Sequence, residues 1–441
     1  MKGLLELNKH DLMVEVNRLN QLHEVDLAAY METLDSEEFL LMSHFLEKKQ
    51  LAEAFAELSR DYKQEMMNHL NDEDLRVVVH HLDSMELVDT IKELPANLVK
   101  RLLGQLDGSK RSLINQLLGY PEESVGSIMG VEMVKCLAEE DQAQILTKLS
   151  NSKFDPEYLQ IIWMIDHNQH LVGYLYLSDL IRYPHDDLNT IIQTDVISVK
   201  TLDDQEFASN IMNKYHLSLL PVTDEEGCLV GVVSADIMLD VMEEEFSEDM
   251  ASMQGMGGID EDYLKVPAFV HFKKRIVWLL ILMVTATLTG YIIQRYDAIL
   301  SGSVILAAYI PMLMDSGGNA GGQATTVIIR SLTLGEVALK DAAKIFLKEF
   351  EISIMVGICM ALLNMVRIMV MDQVSMMVNL TVSLSLLLTI IMAKLVGSML
   401  PLVGTFFKQD PVVMAGPILT TVVDTFSLLI YFEIASLLLG L

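Results

Sequence analysis

The sequence has little cysteine, and this shortage excludes several kinds of site. Only three cysteines occur among 441 residues. Cys136, Cys228 and Cys359 are scattered, without the spacing of a zinc site or the density of a disulfide framework, and this usage fits a reducing cytosol. The histidines likewise lack a nucleophile or a metal-ligand partner at useful spacing, so we expect that the protein is not an enzyme.

Basic residues are also scarce, but only in one part of the chain. The total of 61 acidic and 31 basic residues gives a net charge of -30. Residues 1–272 contain 51 acidic and 20 basic residues, net -31, whereas residues 273–441 contain 10 and 11, net +1. Such an acidic region repels nucleic acid and attracts cations, so we expect no nucleic-acid partner. The N-terminus lacks the apolar core of a signal peptide, which predicts that it stays in the cytosol.

The first pattern along the chain is that of short helices. From about residue 4 to 118, apolar residues recur at helical spacing in similar phrases such as LAAYMETL, LAEAFAEL and LVDTIKEL. Short polar turns separate them, which predicts stacked helical hairpins in a small solenoid. We therefore assign residues 1–119 to an all-α superhelical N domain that serves as a scaffold or binding surface.

Two α/β units of roughly 60 residues follow within residues 120–246. Each is expected to contain a short strand, a helix, a strand hairpin turned by HNQH or DEEG, and a closing helix. This internal duplication resembles a tandem CBS pair, most closely in LLPVTDEEGCLVGVVSADI. Such modules often bind adenine nucleotides, so ATP is a candidate ligand. Residues 247–272 are acidic and then rich in Met and Gly, and we assign them to a connector helix that breaks near Gly257-Gly258.

The last part, residues 273–441, is expected to be an α-helical membrane domain with five spans. After Lys273-Lys274-Arg275, the run IVWLLILMVTATLTGYII is long enough to cross a bilayer. Further spans are predicted at roughly 300–329, 351–371, 376–402 and 412–440. The Lys and Arg residues of the loops fit a cytosolic N-terminal half, an extracytoplasmic C-terminus and a location in the cell inner (plasma) membrane.

The second of these spans contains DSGGNAGGQAT, residues 315–325. Glycine-rich backbone at membrane depth is tolerated where it packs against protein or lines a wet cavity. Asn319 and Gln323 fall at i and i+4 on one face, so that with Gly318 they are candidate pore-lining residues. Close helix packing of the GxxxG type is the alternative use of the glycines, and the two uses are compatible.

The last span carries Asp424 near its middle, with Thr420 and Thr421 as further candidate pore-lining residues. A carboxylate at membrane depth costs roughly 2.5 to 3.5 kcal/mol on insertion scales, which favours a functional role. The alternative is a structural Asp paired with Lys394, the nearest candidate partner by depth. Asp410, before Pro411, fits an ordinary helix-start residue as well as an ion-binding one.

These features together resemble the MgtE family of magnesium transporters. The resemblance rests on PMLMDSGGNAGGQATTVIIRSL at 311–332, DPVVMAGPILTTVVDTF at 410–426, and the domain order. It implies a homodimeric, Mg²⁺-selective channel that cytosolic Mg²⁺ closes. It also implies metal-binding roles for a set of carboxylates: Asp424 in the pore, Asp410 at its cytosolic mouth, Asp240, Glu245, Glu248 and Asp249 in the connector, and Asp89 with Glu86 in the N domain. Met85 stands where the family often has a carboxylate, which leaves the number of sensor sites open.

Two other functions stay open at this level. A transporter of Co²⁺ or Mn²⁺ is disfavoured because hard oxygen donors suit Mg²⁺, although the 29 methionines leave softer ions open. A membrane sensor that does not transport would give Asp424 and the glycine-rich span no task. A homodimer is expected because five spans with one pore carboxylate form half of a symmetric site.

Overall fold

The computed structural model describes residues 9–183, 188–257, 263–264, 266–372, 374–414 and 416–440. The chain divides into two compact units, residues 1–242 and 243–441. The multidomain architecture expected from the sequence is present: a helical region, a pair of small mixed sheets and a group of long apolar helices. The predicted break near Gly257-Gly258 falls partly outside the described residues.

The first unit begins with short helices of 8 to 11 residues. They are α1 (Lys9–Leu19), α2 (Glu24–Met31), α3 (Ser36–Phe45), α4 (Lys48–Glu57), α5 (Arg60–His69), α6 (Asp72–His81), α7 (Ser84–Glu93), α8 (Ala96–Gln105) and α9 (Gly108–Leu117). Helices α2, α4, α6 and α8 stack in succession, and α3 packs on α5 and α7 on α9. This arrangement agrees with the solenoid predicted from the sequence.

A repeat of 12 residues underlies this stack. Leucines that end successive helices stand 12 positions apart, at 46, 58, 70, 82, 94 and 106. Their side chains are at most 7% exposed, whereas the next residue begins the following helix and is often a capping Asp or Asn. Asp35, Asn71, Asp83 and Asp107 each accept the backbone N–H three residues on. The repeat therefore alternates a buried apolar stop with a polar start.

Two matching α/β units follow the helical stack, and the closing helix of the second continues past residue 242 into the second compact unit. The first contains α10 (Val125–Ile128), β1 (Val134–Leu137), α11 (Gln142–Asn151), β2 (Ile161–Ile165), β3 (Leu171–Tyr176) and α12 (Leu177–Arg182). The second contains α13 (Leu188–Ile191), β4 (Val199–Lys200), α14 (Gln205–Tyr215), β5 (Leu219–Thr223), β6 (Leu229–Ser234) and α15 (Ala235–Met253). In both, the first strand pairs parallel with the second, which forms an antiparallel hairpin with the third.

The two hairpin turns repeat even their hydrogen bonds. Asp166 Oδ1 accepts the N–H groups of Asn168 and His170, and Asp224 Oδ1 accepts those of Glu226 and Cys228. Such side-chain bonds to the backbone two residues on favour tight turns. The duplication expected from HNQH and DEEG is therefore present in the structure.

The connector begins within a longer helix. Helix α15 is continuous from Ala235 to Met253, so the closing helix of the second α/β unit and the start of the connector are one element. Residues 258–262 and 265 of the connector predicted over 247–272 lie outside the described residues, and its bounds stay a prediction. The next helix begins at Ala268, directly after Pro267, which fits proline's tolerance at a helix start.

The second compact unit consists of helices. They are α16 (Ala268–Arg295), α17 (Asp297–Gly302), α18 (Ile310–Thr333), α19 (Ala342–Met371), α20 (Met376–Phe406) and α21 (Pro417–Leu439), with short 3-10 turns at Val304–Tyr309, Leu339–Asp341 and Val412–Met414. Among the described residues, four helical segments are long and apolar enough to cross a membrane: Ala268–Arg295, Leu339–Met371, Met376–Phe406 and Pro417–Leu439. Helix α18 is not one of the four, so the crossing number of five stays a prediction.

Several helices begin at residues other than the predicted span starts, and two of these differences bear on the site. The span expected from about residue 300 is interrupted, and α18 begins only at Ile310, with Pro311 in its first turn. The span expected from 351 begins at Ala342, which brings Glu349 inside a long helix rather than into a loop.

Candidate ion pathway and regulatory carboxylates

Helix α18 has a packing face of small residues. A Cβ added at Gly317 would lie 2.9 Å from side-chain atoms of both Thr389 and Val423, and one at Gly321 would lie 3.1 Å from the Ala393 carbonyl oxygen. On α20, a Cβ at Gly397 would overlap the Gly321 carbonyl oxygen. Gly317 and Gly321 therefore allow α18 to approach α20 and α21 closely, which is the packing use of the glycines.

The same helix has a second, open face. Gly318, Asn319, Gly322 and Gln323 line a cavity of about 750 Å³, and Asn319 and Gln323 are exposed in the single chain. Neighbouring glycines of α18 therefore lie on opposite faces, Gly317 and Gly321 on the packed face and Gly318 and Gly322 on the open one. The pore-lining role of this second face stays a prediction.

Asp424 lies one turn after Thr420 on α21, on a face that is not buried in the single chain. Its neighbours Val423 and Ser427 point the other way, toward Gly317. The Thr420 and Thr421 hydroxyls donate to the Pro417 carbonyl oxygen. Each hydroxyl oxygen can therefore still accept a hydrogen bond, for example from a water bound to a cation. Packing on α18 therefore directs Asp424 away from the helix interface.

The structure does not support the pairing of Asp424 with Lys394 that the sequence left open. Lys394 Nζ lies 4.0 Å from Glu349 Oε2, and both side chains are buried. The sequence missed this partner because Glu349 was assigned to a loop before the third span. Lys394 is therefore engaged elsewhere.

Asp410 and Asp249 share one electrostatic environment. Burial and the nearby carboxylate of Asp410, followed by Glu245 and Glu248, raise the pKa of Asp249 to about 6. Asp410 is exposed, and its Oδ1 accepts the N–H of Val412, which is the helix-start role considered for it. Its other oxygen is not used in that bond. Like charges gathered in this way attract a cation.

The end of α15 packs against the start of α21. A Cβ at Gly416 would overlap the carbonyl oxygen of Met253, and one at Gly255 would lie 2.8 Å from a Pro417 side-chain atom and 3.1 Å from Trp278. Gly255 also has φ +66°, a conformation that favours glycine. The connector helix therefore ends beside the segment that joins Asp410 to the helix of Asp424.

In the N domain, Glu86 has a structural partner. Its Oε2 accepts the N–H of Asp83, and Asp83 Oδ1 accepts the N–H of Glu86, which forms a capping box at α7. Burial, followed by the charge of Asp83, raises the pKa of Glu86 to about 7, and burial raises that of Asp83 to about 6. These bonds and pKa values favour a capping role for Glu86 over a metal-binding one.

Asp89 is more accessible, with 57% of its side chain exposed and Lys92 Nζ at 3.8 Å. Burial raises its pKa, Lys92 opposes the rise, and the charge of Asp240 adds to it more weakly. Because so much of the side chain contacts water, solvent screens these electrostatic effects on Asp89. The charge of Asp240 nevertheless acts on Asp89, so the two carboxylates lie within electrostatic range of each other.

The remaining connector carboxylates are on the outer faces of α15. Asp240 and Glu248 are exposed and Glu245 is partly buried. Within the described residues, no group of three or more His, Cys, Asp or Glu side chains is arranged to hold a metal ion. The regulatory sites predicted from the sequence therefore stay predictions.

Sequence reasoning missed Glu132. Its carboxylate accepts the Ser84 N–H and the Ser84 hydroxyl and lies 3.1 Å from the Val131 nitrogen. The bonds to Ser84 join the start of α7 to the loop before β1. No pattern in the sequence indicates this contact, because the two residues are 48 positions apart.

Family models match three parts of the chain: the MgtE intracellular N domain at 22–123, a CBS domain at 188–244 and a divalent cation transporter domain at 310–434. Curated relatives cover nearly all of it. The magnesium transporter MgtE of Thermus thermophilus is 33% identical over 426 residues, which are 96% of this chain and 94% of the relative. The chain belongs to the MgtE family. Its relatives are named as transporters, in agreement with the expectation that it is not an enzyme.

Further members of the MgtE family agree with this assignment. The Bacillus subtilis magnesium transporter MgtE is 27% identical over 95% of this chain and 92% of its own length. Among solved structures, the soluble part of a magnesium transporter has a TM-score of 0.50 at 26% identity and covers 55% of this chain and 96% of its own. The cytosolic domain of the Mg²⁺ channel MgtE in complex with ATP has a TM-score of 0.50 at 30% identity, with 54% and 96% covered.

Proposed function

We propose that this protein conducts Mg²⁺ across the cell inner membrane into the cytosol. The main support is Asp424, a residue of a long apolar helix whose carboxylate faces away from the α18 packing interface. Mg²⁺ gives up its waters reluctantly and is usually held by one or two carboxylates with waters retained, so a single Asp per chain with hydroxyl and amide neighbours suits it. The names of the curated relatives support the same ion.

The functional form is a homodimer with five spans per chain. One Asp424 from each of two chains gives a pair of carboxylates around one axis, and such a ring favours cations over anions. The Lys and Arg residues at the helix ends support a cytosolic N-terminus and an extracytoplasmic C-terminus. A single-chain mass in mild detergent with transport retained would contradict the homodimer.

Cytosolic Mg²⁺ closes the pore by binding the acidic region. Residues 1–272 carry a net charge of -31, so their parts repel one another unless cations screen or bridge them. The carboxylates proposed to take part are Asp89, Asp240, Glu245, Glu248, Asp249 and Asp410. Because α15 ends beside the start of α21, ions that hold α15 in place bias the pore toward one state.

ATP is proposed to bind the CBS pair. Its two halves form a cleft whose lining includes Trp163, Tyr174, Tyr176 and Asp195. Aromatic faces stack on bases, and a carboxylate accepts hydrogen bonds from ribose hydroxyls. The related cytosolic domain was solved with ATP. Titration calorimetry with ATP tests this: Asp195→Ala is expected to weaken binding, and unchanged binding would contradict the assignment.

Flux into liposomes that contain a Mg²⁺ dye tests the proposed transport. We expect Mg²⁺ to enter faster than Ca²⁺ and Co²⁺, each followed with its own indicator. Preferential entry of Co²⁺ or Mn²⁺ would favour the transporter of another divalent ion. Absence of any flux from well-folded protein would favour a sensor that does not transport.

A further inference from the structure

Two charged side chains are buried between helices of the second compact unit, and neither is paired with Asp424. Glu349 of α19 and Lys394 of α20 keep 10% and 7% of their side chains exposed, and 4.0 Å separates Oε2 from Nζ. This distance is too long for a hydrogen bond. Glu349 Oε2 is buried and accepts no hydrogen bond from any described residue. The ion pair with Lys394 therefore does not satisfy Glu349 Oε2, and an unsatisfied acceptor buried among membrane helices is costly.

The unsatisfied oxygen belongs to a residue that borders a cavity. Glu349 and Lys394 line an open cavity of about 750 Å³ together with Asn319 and Gln323 of α18. Six waters at about 30 Å³ each occupy about 180 Å³. The cavity is therefore larger than an octahedrally hydrated Mg²⁺ requires. Carboxylate and carboxamide oxygens are the donors that such an ion prefers.

We propose that this cavity is a cation-binding position separate from Asp424. A hydrated divalent cation is held by Glu349 and the carboxamide oxygens of Asn319 and Gln323. Lys394 supplies the positive charge that balances Glu349 when the cation is absent, and it opposes the cation when it enters. The inference rests on the proposed transport of Mg²⁺ and adds a second position for the ion.

The competing explanation is a purely structural ion pair, and the two make opposite predictions for single substitutions. If Glu349 and Lys394 only stabilise the helices, removing either charge harms the protein in the same way. If the cavity binds a cation, removal of the carboxylate weakens binding, whereas removal of the ammonium strengthens it. The sign of the two effects therefore separates the explanations.

The test measures Mg²⁺ flux into liposomes as a function of external Mg²⁺ for the full chain. Glu349→Gln is expected to raise the half-saturating Mg²⁺ concentration at least about threefold, and Lys394→Met to lower it by a smaller factor, because Glu349 ligates the ion whereas Lys394 only repels it. Glu351→Gln is the matched control, because Glu351 is exposed two residues along the same helix. It is expected to leave the value unchanged.

Shifts in the same direction for both single variants, or no shift in either, would overturn the inference. If a single variant is not recovered folded, the double variant Glu349→Gln/Lys394→Met leaves no unpaired charge and is measured instead. Its half-saturating concentration is expected to exceed that of the unmodified protein, and an equal value contradicts the site. Failure of the proposed function looks different, since the unmodified protein would then carry no Mg²⁺ at all.

Discussion

The environment of Glu86 favours a capping role over metal binding. A folded-state pKa of about 7, against an ordinary value of 4.5, means that the fold favours the protonated form. Below pH 4.5 the carboxyl is protonated whether the chain is folded or not, and no stability is lost. Between pH 4.5 and 7 the folded protein loses stability, and above pH 7 the loss is constant.

Glu86→Gln tests this at the residue scale. Glutamine can still accept the Asp83 N–H but carries no charge, so we expect the variant to be more stable than the unmodified protein at pH 8, by on the order of 1 to 3 kcal/mol. At pH 4.5 the difference should be small. Urea-dependent proteolysis of the N domain in the full chain, at both pH values, measures it. A variant less stable at pH 8, with weaker protection by Mg²⁺, would instead favour metal binding by Glu86.

At the scale of the elements, the contact between α18 and α20 depends on glycine. Gly397→Ala places a Cβ on the Gly321 carbonyl oxygen, and backbone cannot move aside as a flexible side chain can. Overpacking of this kind costs typically 1 to 3 kcal/mol. We expect a lower thermal unfolding temperature in detergent. Gly322→Ala is the control, because a Cβ there meets no atom within 4 Å, and equal effects of the two changes would contradict the packing account.

The elements also show how far the sequence could predict the fold. The hairpins of the CBS pair were predictable because Asp166 and Asp224 form their turns through local bonds. The start of α19 was not predictable, because the charged residues Lys344, Lys348 and Glu349 are typical of a loop. In the structure they belong to the helix, which buries Glu349 beside Lys394. Pro311 was expected within a span, but proline without an N–H fits the first turn of α18 instead. The leucine repeat of 12 residues can be read from the sequence alone.

At the scale of the whole molecule, charge is divided between the two parts of the chain. We expect Mg²⁺ to compact residues 1–272, because bridging ions relieve the repulsion of a net charge of -31. Several ions must act together, since each exposed carboxylate interacts weakly. Limited proteolysis should show protection that depends on Mg²⁺, and deletion of residues 1–120 should weaken inhibition of flux by Mg²⁺. Proteolysis insensitive to Mg²⁺, with inhibition unchanged by the deletion, would contradict the sensor.

The central claim is that Asp424 meets the transported ion. A divalent ion about 5 Å from one carboxylate gains about 6 to 7 kcal/mol before desolvation at an effective dielectric constant near 20. Asparagine keeps the size of the side chain but removes this charge, whereas glutamate keeps the charge and narrows the pore.

Mg²⁺ flux into liposomes by Asp424→Asn is therefore the most direct test, with Asp424→Glu measured beside it. We expect the Asn variant to fold and reach the membrane but to lose most of its Mg²⁺ flux, and the Glu variant to be intermediate. Normal Mg²⁺ flux through a well-expressed Asp424→Asn protein would contradict the account.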